Sequence, residues 1–335
     1  MGKITVALIG CGYWGKNYLN LFNSGGTFGN AFLKYVHDIA PPNKSLPKEV
    51  KFTKDISTIL NDSEINAVII ATPTKTHFTI ASQVLQAGKH VLIEKPLTLN
   101  LQEAEKLNEI AKNAGKTLMV GHIFKYNLAL REMKRRMEMG EIGNVLYLDA
   151  RRVALGPVRQ DASALWDLIS HEVYIFMYLV GSAPISVSYV GGGYMNNIDE
   201  IVSINMRFPG KIFASAYANW AHPIKERKIV VGGSKKAIVF DDIHSSDKLT
   251  IYDRSIDYLP NPSNFSEFQT TIREGDILIP KLNLSQPLST EVEHFFKCIQ
   301  GTETCISDGY EGMNVVRILE AAEKSKKLGG TEVFI

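Results

Sequence analysis

Short apolar runs recur through the first 120 positions, and most are followed by a stretch whose apolar residues fall every three or four places. Residues 4–9 are β-branched and apolar, end at Gly10, and give way to helix-like spacing over 13–22. The chain therefore opens as strand, glycine turn, helix. Residues 32–36 form a second strand, delayed by an insertion at 23–30 rich in Gly and Asn. A short helix at 56–60 precedes 67–71, an all-apolar run of the kind buried on both faces of a parallel sheet, which Thr72-Pro73 ends. Helix 76–87, strand 90–94, helix 100–114 with Gly115 as its stop, and strand 117–120 complete the series. This alternation predicts an α/β fold with a doubly wound parallel sheet over residues 1–125.

After Lys125 the pattern changes. A helix at 128–139 and a strand at 145–153 lead through a polar loop into a strongly apolar helix at 163–180. Strand-like runs follow at 185–191, 200–208, 211–219, 226–232 and 236–240, joined by turns such as Pro209-Gly210 and Gly232-Gly233-Ser234. Consecutive strands on short turns predict a large mixed or antiparallel open sheet in a second α/β domain, residues 126–335. Residues 253–287, with four prolines, read as an extended loop, and helices at 289–300 and 308–328 close the chain.

Composition narrows the classes. With 335 residues, 45% of them hydrophobic, the chain has enough apolar material for two cores. Lys and Arg (37) nearly balance Asp and Glu (35), which argues against a nucleic-acid partner. No apolar stretch approaches a membrane span, no signal peptide is recognisable, and Gly2 lacks the Ser or Thr at position six that myristoylation requires, Val6 standing there. Cys11, Cys298 and Cys305 are too few for a disulfide framework and none sits in a CxxC pair, so a reducing, cytoplasmic setting and no metal are expected. Charge is unevenly divided: the first 125 residues hold fourteen lysines and no arginine.

Gly10-Cys11-Gly12-Tyr13-Trp14-Gly15 fits GxGxxG in the strand-turn-helix setting that dinucleotide binding requires. The first glycine permits the turn, the second lets backbone approach a pyrophosphate, and the third allows close helix–strand packing. Asp38, past the second strand, is either the acid that meets the adenosine ribose or a solvated turn residue. In the first role it would repel a 2′-phosphate and, with no arginine nearby, favour NAD over NADP; Lys44 is the residue to suspect if NADP binds better. Glu94-Lys95-Pro96 ends a strand on the edge where open parallel sheets bind ligands, and the Lys95 ammonium suits a substrate hydroxyl acquiring alkoxide character; a plain surface turn is the competing reading. Asp167 and His171 lie four apart on the apolar helix, with His171 as base and Asp167 as the acid that orients it or binds substrate, or with His171 as a satisfied structural histidine. Arg151, Arg152 and Arg159, around the loop that feeds this helix, either bind a carboxylate or diphosphate or pair with surface acids. Arg131, Arg135 and Arg136 read as a solvated helix face.

In this order these pieces resemble the glucose-fructose oxidoreductase and inositol dehydrogenase family, Gfo/Idh/MocA. The resemblance rests on GCGYWG at 10–15, ATPTKTH at 71–77, GKHVLIEKPL at 88–97, the Asp167–His171 helix, and SDGYEGMNVVRILEAAEKS at 307–325. It implies an N-terminal NAD-binding Rossmann domain, and a C-terminal α/β domain that binds substrate and whose open sheet mediates homodimers or homotetramers. The activity implied is hydride transfer between a sugar or cyclitol carbon and a nicotinamide. Matched onto this sequence, it implies that Lys95 stands between cofactor and substrate, that His171 transfers a proton, and that Asp167 contacts substrate. Thr72, Pro73 and His77 then belong to the cofactor-side loop, with Glu94 beside them. GYWG, GHIFKYN at 121–127 and GPVRQDASALWDLISHE at 156–172 look like members of nucleotide-sugar metabolism, which adds Tyr126 and Arg159 to the substrate contacts. A departure is Ala162-Ser163-Ala164-Leu165-Trp166, where many relatives carry glycines; Trp166 reshapes the pocket. The expected function is an NAD-dependent dehydrogenase or reductase of a sugar, nucleotide-linked by this resemblance. The alternatives are a free sugar or cyclitol dehydrogenase, a non-catalytic NAD-binding sensor or structural protein, and hydrolysis passing through NAD redox.

Overall fold

The computed structural model describes residues 3–23, 25–42, 45–156, 158–160, 162–195, 197–257, 271–283 and 285–335; Gly2, Lys44 and Pro157 of the sequence reading lie outside them. In chain order its elements are β1 (Ile4–Ile9), α1 (Gly15–Leu21), β2 (Thr27–Phe28), β3 (Ala31–His37), β4 (Lys51–Thr53), α2 (Ser57–Leu60), β5 (Ala67–Ile70), α3 (His77–Gln86), β6 (His90–Glu94), α4 (Leu101–Ala114) and β7 (Leu118–Gly121). These are followed by α5 (Leu128–Glu138), β8 (Val145–Leu155), a π-helical turn (Leu165–Ile169) running into α6 (Ser170–Val180), β9 (Ser186–Gly192), β10 (Ile201–Arg207), β11 (Phe213–Asn219), β12 (Ala221–Gly233), β13 (Ala237–Asp241), β14 (Leu249–Asp257), β15 (Thr271–Leu278), α7 (Pro287–Ile299), α8 (Gly309–Lys327) and β16 (Val333–Phe334). No helix among the described residues is long and apolar enough to cross a membrane.

The chain divides into two compact units. The first takes in Met1–Tyr126 and also Ser285–Arg317, a segment that the division at 125/126 assigns to the second domain. Its seven-stranded sheet runs β3-β1-β5-β6-β7, all parallel. The free edge of β3 carries antiparallel β2 at its start and parallel β4 at its end. The insertion at 23–30 is therefore a small hairpin onto β3. Strand β5 is wholly buried, and β1 exposes next to nothing on either face, which is why neither alternates apolar with polar residues. Packed on this sheet are Tyr18 and Phe22 after the glycine turn and, from far along the sequence, Val292, Phe295 and Phe296 of α7.

The second unit takes in Asn127–Leu284 and Ile318–Ile335. Nine strands run β15-β14-β13-β12-β8-β11-β10-β9-β16; β8 and β11 are parallel and every other neighbour pair is antiparallel. On β8 the side chains of Leu148, Ala150 and Arg152 are buried while Tyr147 and Arg151 face solvent, so one face of the sheet is covered and the other is exposed. The expectation of an extended loop over 253–287 is corrected: β14 and β15 form a hairpin's two arms there, pairing Asp257 with Thr271 and Ile251 with Leu278. Strand β15 carries Arg273, Glu274 and Asp276 and is exposed along the described side chains, as befits a charged edge strand with no buried face to impose a pattern.

Candidate functional site

In the first unit, β1 has β3 on one side and β5 on the other, so strand order reverses there and the carboxyl ends of β1 and β5 form the switch point at which open parallel sheets bind ligands. Gly10 leaves β1 with φ +89°, and a Cβ there would lie 2.7 Å from the carbonyl of Ala71. At Gly15 a Cβ would lie 2.0 Å from the Gly10 carbonyl oxygen. Both positions are closed to any other residue. Gly12 is the opposite case, with no atom within 4 Å of a Cβ built there. Its backbone faces open space, and no acidic residue sits in the first turn of α1 to repel an anion. The turn thus fits a dinucleotide: two glycines shape it and the third keeps a bare approach to the backbone.

Asp38 lies one residue past β3. Its Oδ2 accepts the Cys11 amide at 2.7 Å, its Oδ1 accepts the Ile39 amide at 2.7 Å, and the preceding carbonyl of His37 accepts the Gly10 amide at 2.8 Å. The acid of the second strand is stitched to the glycine turn, and the β2 hairpin accounts for its late place in the sequence.

At the end of β6, Glu94 accepts hydrogen bonds from the Trp14 indole and, at 2.7 Å, from the Tyr18 hydroxyl; the Lys95 amide donates to its Oε2 at 3.2 Å. Burial pushes the Glu94 carboxyl up, opposed by these donors and by the Lys95 charge. Glu94 and Trp14 therefore hold one another, coupling the glycine turn to the Lys95 turn. The Lys95–Pro96 bond is cis. His77 closes the same edge: its ring nitrogens meet the carbonyls of Pro96 (3.0 Å) and Thr72 (2.9 Å), and at 1% exposure it clasps the two loops together from within, with burial lowering its pKa. Thr76 donates to Thr72 Oγ1 at 2.8 Å, and Tyr13 stands 83% exposed at the turn.

Tyr126 departs from the substrate-contact reading. It is fully buried, its hydroxyl meets Ser307 Oγ at 2.8 Å, and its ring lies 5.5 Å from that of His294. Such a side chain offers a ligand no surface.

Two further clusters in this unit escaped sequence reasoning. His122, just past β7, lies 3.5 Å from Glu311 Oε1, while Lys125 bonds Glu311 Oε2 and the Ile306 carbonyl. Burial lowers the His122 pKa, and the Lys125 and Lys95 charges lower it further; Glu311, which burial alone would raise, is held down by His122 and Lys125. Glu291 of α7 is fully buried with no hydrogen-bond partner at either carboxylate oxygen, and burial followed by the Glu94 charge drives it well above the usual carboxylate value. The only sequence signal was a polar residue on the apolar face of α7.

In the second unit Asp167 sits within the π-helical turn and His171 in the first turn of α6. A π-turn spaces side chains differently from an α-turn and recurs at functional sites. Asp167 accepts a hydrogen bond from Arg159 at 3.0 Å. His171 Nδ1 meets the Tyr174 hydroxyl at 2.9 Å, one turn further along, so Tyr174 orients the ring; that residue was missed, though its i+3 spacing was there to be read. Trp166 donates its indole N–H to Glu323 of α8 at 3.1 Å.

The three arginines do not converge. Arg151 and Arg152 are neighbours on β8 and so point to opposite faces. Arg151 pairs with Glu226 at 3.0 Å on the exposed face, whereas Arg152 is buried and pairs with Glu172 at 2.7 Å. Of the two readings of Arg151, Arg152 and Arg159, pairing with acids describes these contacts, each arginine meeting a different carboxylate. On α5, Arg135 and Arg136 pair with Glu132.

Two family descriptions match consecutive parts of the chain: an oxidoreductase family with an NAD-binding Rossmann fold over residues 4–122, and the GFO/IDH/MocA C-terminal domain over 130–239. The chain belongs to the GFO/IDH/MocA oxidoreductase family. Among its relatives, scyllo-inositol 2-dehydrogenase (NAD(+)) of Bacillus subtilis is 28% identical over 275 residues, covering 76% of this chain and 74% of that protein. UDP-N-acetylglucosamine 3-dehydrogenase of Acidithiobacillus ferrooxidans is 27% identical over 255 residues, covering 76% of each. A crystal structure of a putative oxidoreductase from Magnetospirillum magnetotacticum superposes with a TM-score of 0.79 at 27% identity, covering 96% of this chain and 99% of that one. Family membership supplies the NAD-binding activity that the glycine turn is shaped for.

Proposed function

We propose that this GFO/IDH/MocA protein is an NAD-dependent sugar dehydrogenase. The observation that carries the reading is the Glu94 junction: Trp14 and Tyr18, in and just after the glycine turn, bond the carboxylate that immediately precedes Lys95. A nucleotide-binding turn and a lysine are thereby made one rigid edge. Bound at that turn, NAD supplies the hydride acceptor for an alcohol carbon. Gly12 gives the pyrophosphate its approach to the backbone, and Asp38 meets the ribose, its carboxylate opposing a 2′-phosphate. Lys95 stabilises the developing alkoxide. His171 takes the hydroxyl proton at Nε2 when its Nδ1–H donates to Tyr174, which fixes the ring and its tautomer. Asp167, held by Arg159, binds a sugar hydroxyl.

The substrate has two readings. A nucleotide sugar is supported by the resemblance of GHIFKYN and of 156–172, and by the acid-paired but partly exposed Arg159. A free sugar or cyclitol is favoured by the neutralisation of Arg151 and Arg152 by Glu226 and Glu172, which leaves them no role at a diphosphate. A screen that follows NADH formation with UDP-sugars, the matching free sugars and inositols decides between them. The dehydrogenase reading fails if none of these alcohols reduces NAD, nor any corresponding ketone oxidises NADH, while NAD still binds. We further propose a homo-oligomer, with the exposed sheet face bearing Tyr147, Phe213 and Tyr217 as the contact.

A further inference from the structure

We propose that His294, Cys298 and Cys305 form a binding site for a thiophilic divalent cation, with zinc as the occupant. His294 and Cys298 stand four apart on α7, on one helix face, and Cys305 comes from the turn that joins α7 to α8. One ligand atom from each of the three lies within 4.8 Å of the others. His294 Nε2 and Cys298 Sγ are 3.3 Å apart. Zinc bonded at about 2.3 Å to sulfur and 2.0–2.1 Å to nitrogen in a tetrahedron sets its ligand atoms about 3.5–3.8 Å apart, so the cluster needs only a slight adjustment to close on the ion.

The surroundings prepare the histidine for this. Its Nδ1 meets Glu303 Oε2 at 2.7 Å, and the other Glu303 oxygen is held by Lys297 at 2.7 Å. A carboxylate on Nδ1–H is the support that metal-bound histidines receive from their surroundings; it fixes the tautomer that leaves Nε2, the nitrogen beside Cys298 Sγ, as the acceptor. The Ile306 amide, 3.2 Å from Nε2, donates to that same lone pair and would yield it to the metal. His294 is buried while both cysteines are partly exposed, which gives an ion a route in. Two sulfurs and one imidazole are the donor set that selects zinc over magnesium or calcium. Loading replaces two thiol protons with one Zn²⁺, so the two thiolates balance the ion's charge, and water takes the fourth position. The ion would tie residues 300–306 to the end of α7 beneath Tyr126, whose ring packs against His294. The spacing H-x3-C-x6-C was visible in the sequence, but only the turn after α7 brings its third member back.

The test uses the full chain, reduced with a phosphine and stripped of metal. Zinc is titrated against a chromophoric chelator, and cobalt(II) is added separately as an optical probe. One equivalent of zinc should bind, and the cobalt form should show a near-ultraviolet sulfur-to-metal charge-transfer band with the strong visible bands of a tetrahedral site. Glu303→Gln should weaken zinc binding about 10- to 100-fold, and Cys298→Ser and Cys305→Ser should each weaken it by more than that. Because the serine variants keep shape and leave the buried His294 in place, an unchanged melting temperature without metal confirms that they fold. No zinc uptake by the reduced chain overturns the proposal, as does uptake unchanged in both serine variants or a cobalt spectrum without the charge-transfer band.

Discussion

At the glycine turn of the first unit it is backbone that sets the positions, whereas at the π-helical turn of the second unit side chains hold other side chains. Gly10 and Gly15 touch main-chain atoms at distances no Cβ allows, and Asp38 is fixed by two amides. Arg159–Asp167, Arg152–Glu172, His171–Tyr174 and Trp166–Glu323 are instead pairs in which each member depends on the other's chemistry. The first kind of site tolerates almost no change at a few positions and is indifferent elsewhere. The second spreads its sensitivity over pairs, and removing one member leaves the other exposed to its own desolvation cost.

That contrast can be broken by substitution, and the largest effect is expected at a pair. Arg152→Ala removes the cation paired with the buried Glu172 carboxylate and should destabilise the protein by about 3–5 kcal/mol, as for other broken buried ion pairs. Replacing both partners by apolar residues of similar volume should recover most of that in denaturant unfolding. A loss below 1 kcal/mol in Arg152→Ala would mean that the pair is not holding this turn. Next, Lys95→Ala and His171→Ala should each lower kcat by about 10²-fold while leaving NAD affinity within a few-fold. Steady-state kinetics on an identified substrate check this, and near-normal turnover in either variant removes that residue from the chemistry.

The backbone side of the comparison predicts a split between two glycines. Gly15→Ala forces a Cβ into the Gly10 carbonyl and should cost about 1–3 kcal/mol of stability. Gly12→Ala should stay within about 0.5 kcal/mol of wild type yet weaken NAD binding, because its Cβ meets only the space the pyrophosphate needs. Equal melting temperatures for the two variants would contradict this. The effect on cofactor choice is expected at Asp38, where Asp38→Ala should reduce the preference for NAD over NADP by about tenfold, roughly 1.4 kcal/mol, the scale of one hydrogen bond. Titration of both cofactors measures it; unchanged discrimination would assign the selectivity elsewhere.

What could be read before the fold was known follows the same line. The glycine turn, β5 and the body of β6 were legible because the constraint lies within a few residues and is enforced by main chain; the junction at Glu94 was not, since its partners Trp14 and Tyr18 stand far back in the sequence. The ion pairs of the second unit were not, since Glu172 and Glu226 could be matched to Arg152 and Arg151 only after β8 had set its two faces. Tyr126 misled for a related reason: a tyrosine in a motif carries its hydroxyl into either a cleft or a core, and here Ser307, nearly two hundred residues away, claims it. Strand β15 left no trace because, exposed along its described side chains, it has no buried face to write a period of two into the sequence. The π-turn is invisible for lack of a residue code.

The return of Ser285–Arg317 to the first unit has a consequence for synthesis. Val292, Phe295 and Phe296 complete the core that Leu8, Leu33 and Phe22 begin, so a nascent chain that has emerged only to Tyr126 bares an unfinished apolar surface. Translation onward from Tyr126 through Arg317 takes about 10–40 s at roughly 5–20 residues per second. For that interval the nucleotide-binding half is a natural client for chaperones on the ribosome, and a gene fragment ending at codon 126 should yield an insoluble product unless residues 285–317 are supplied as well.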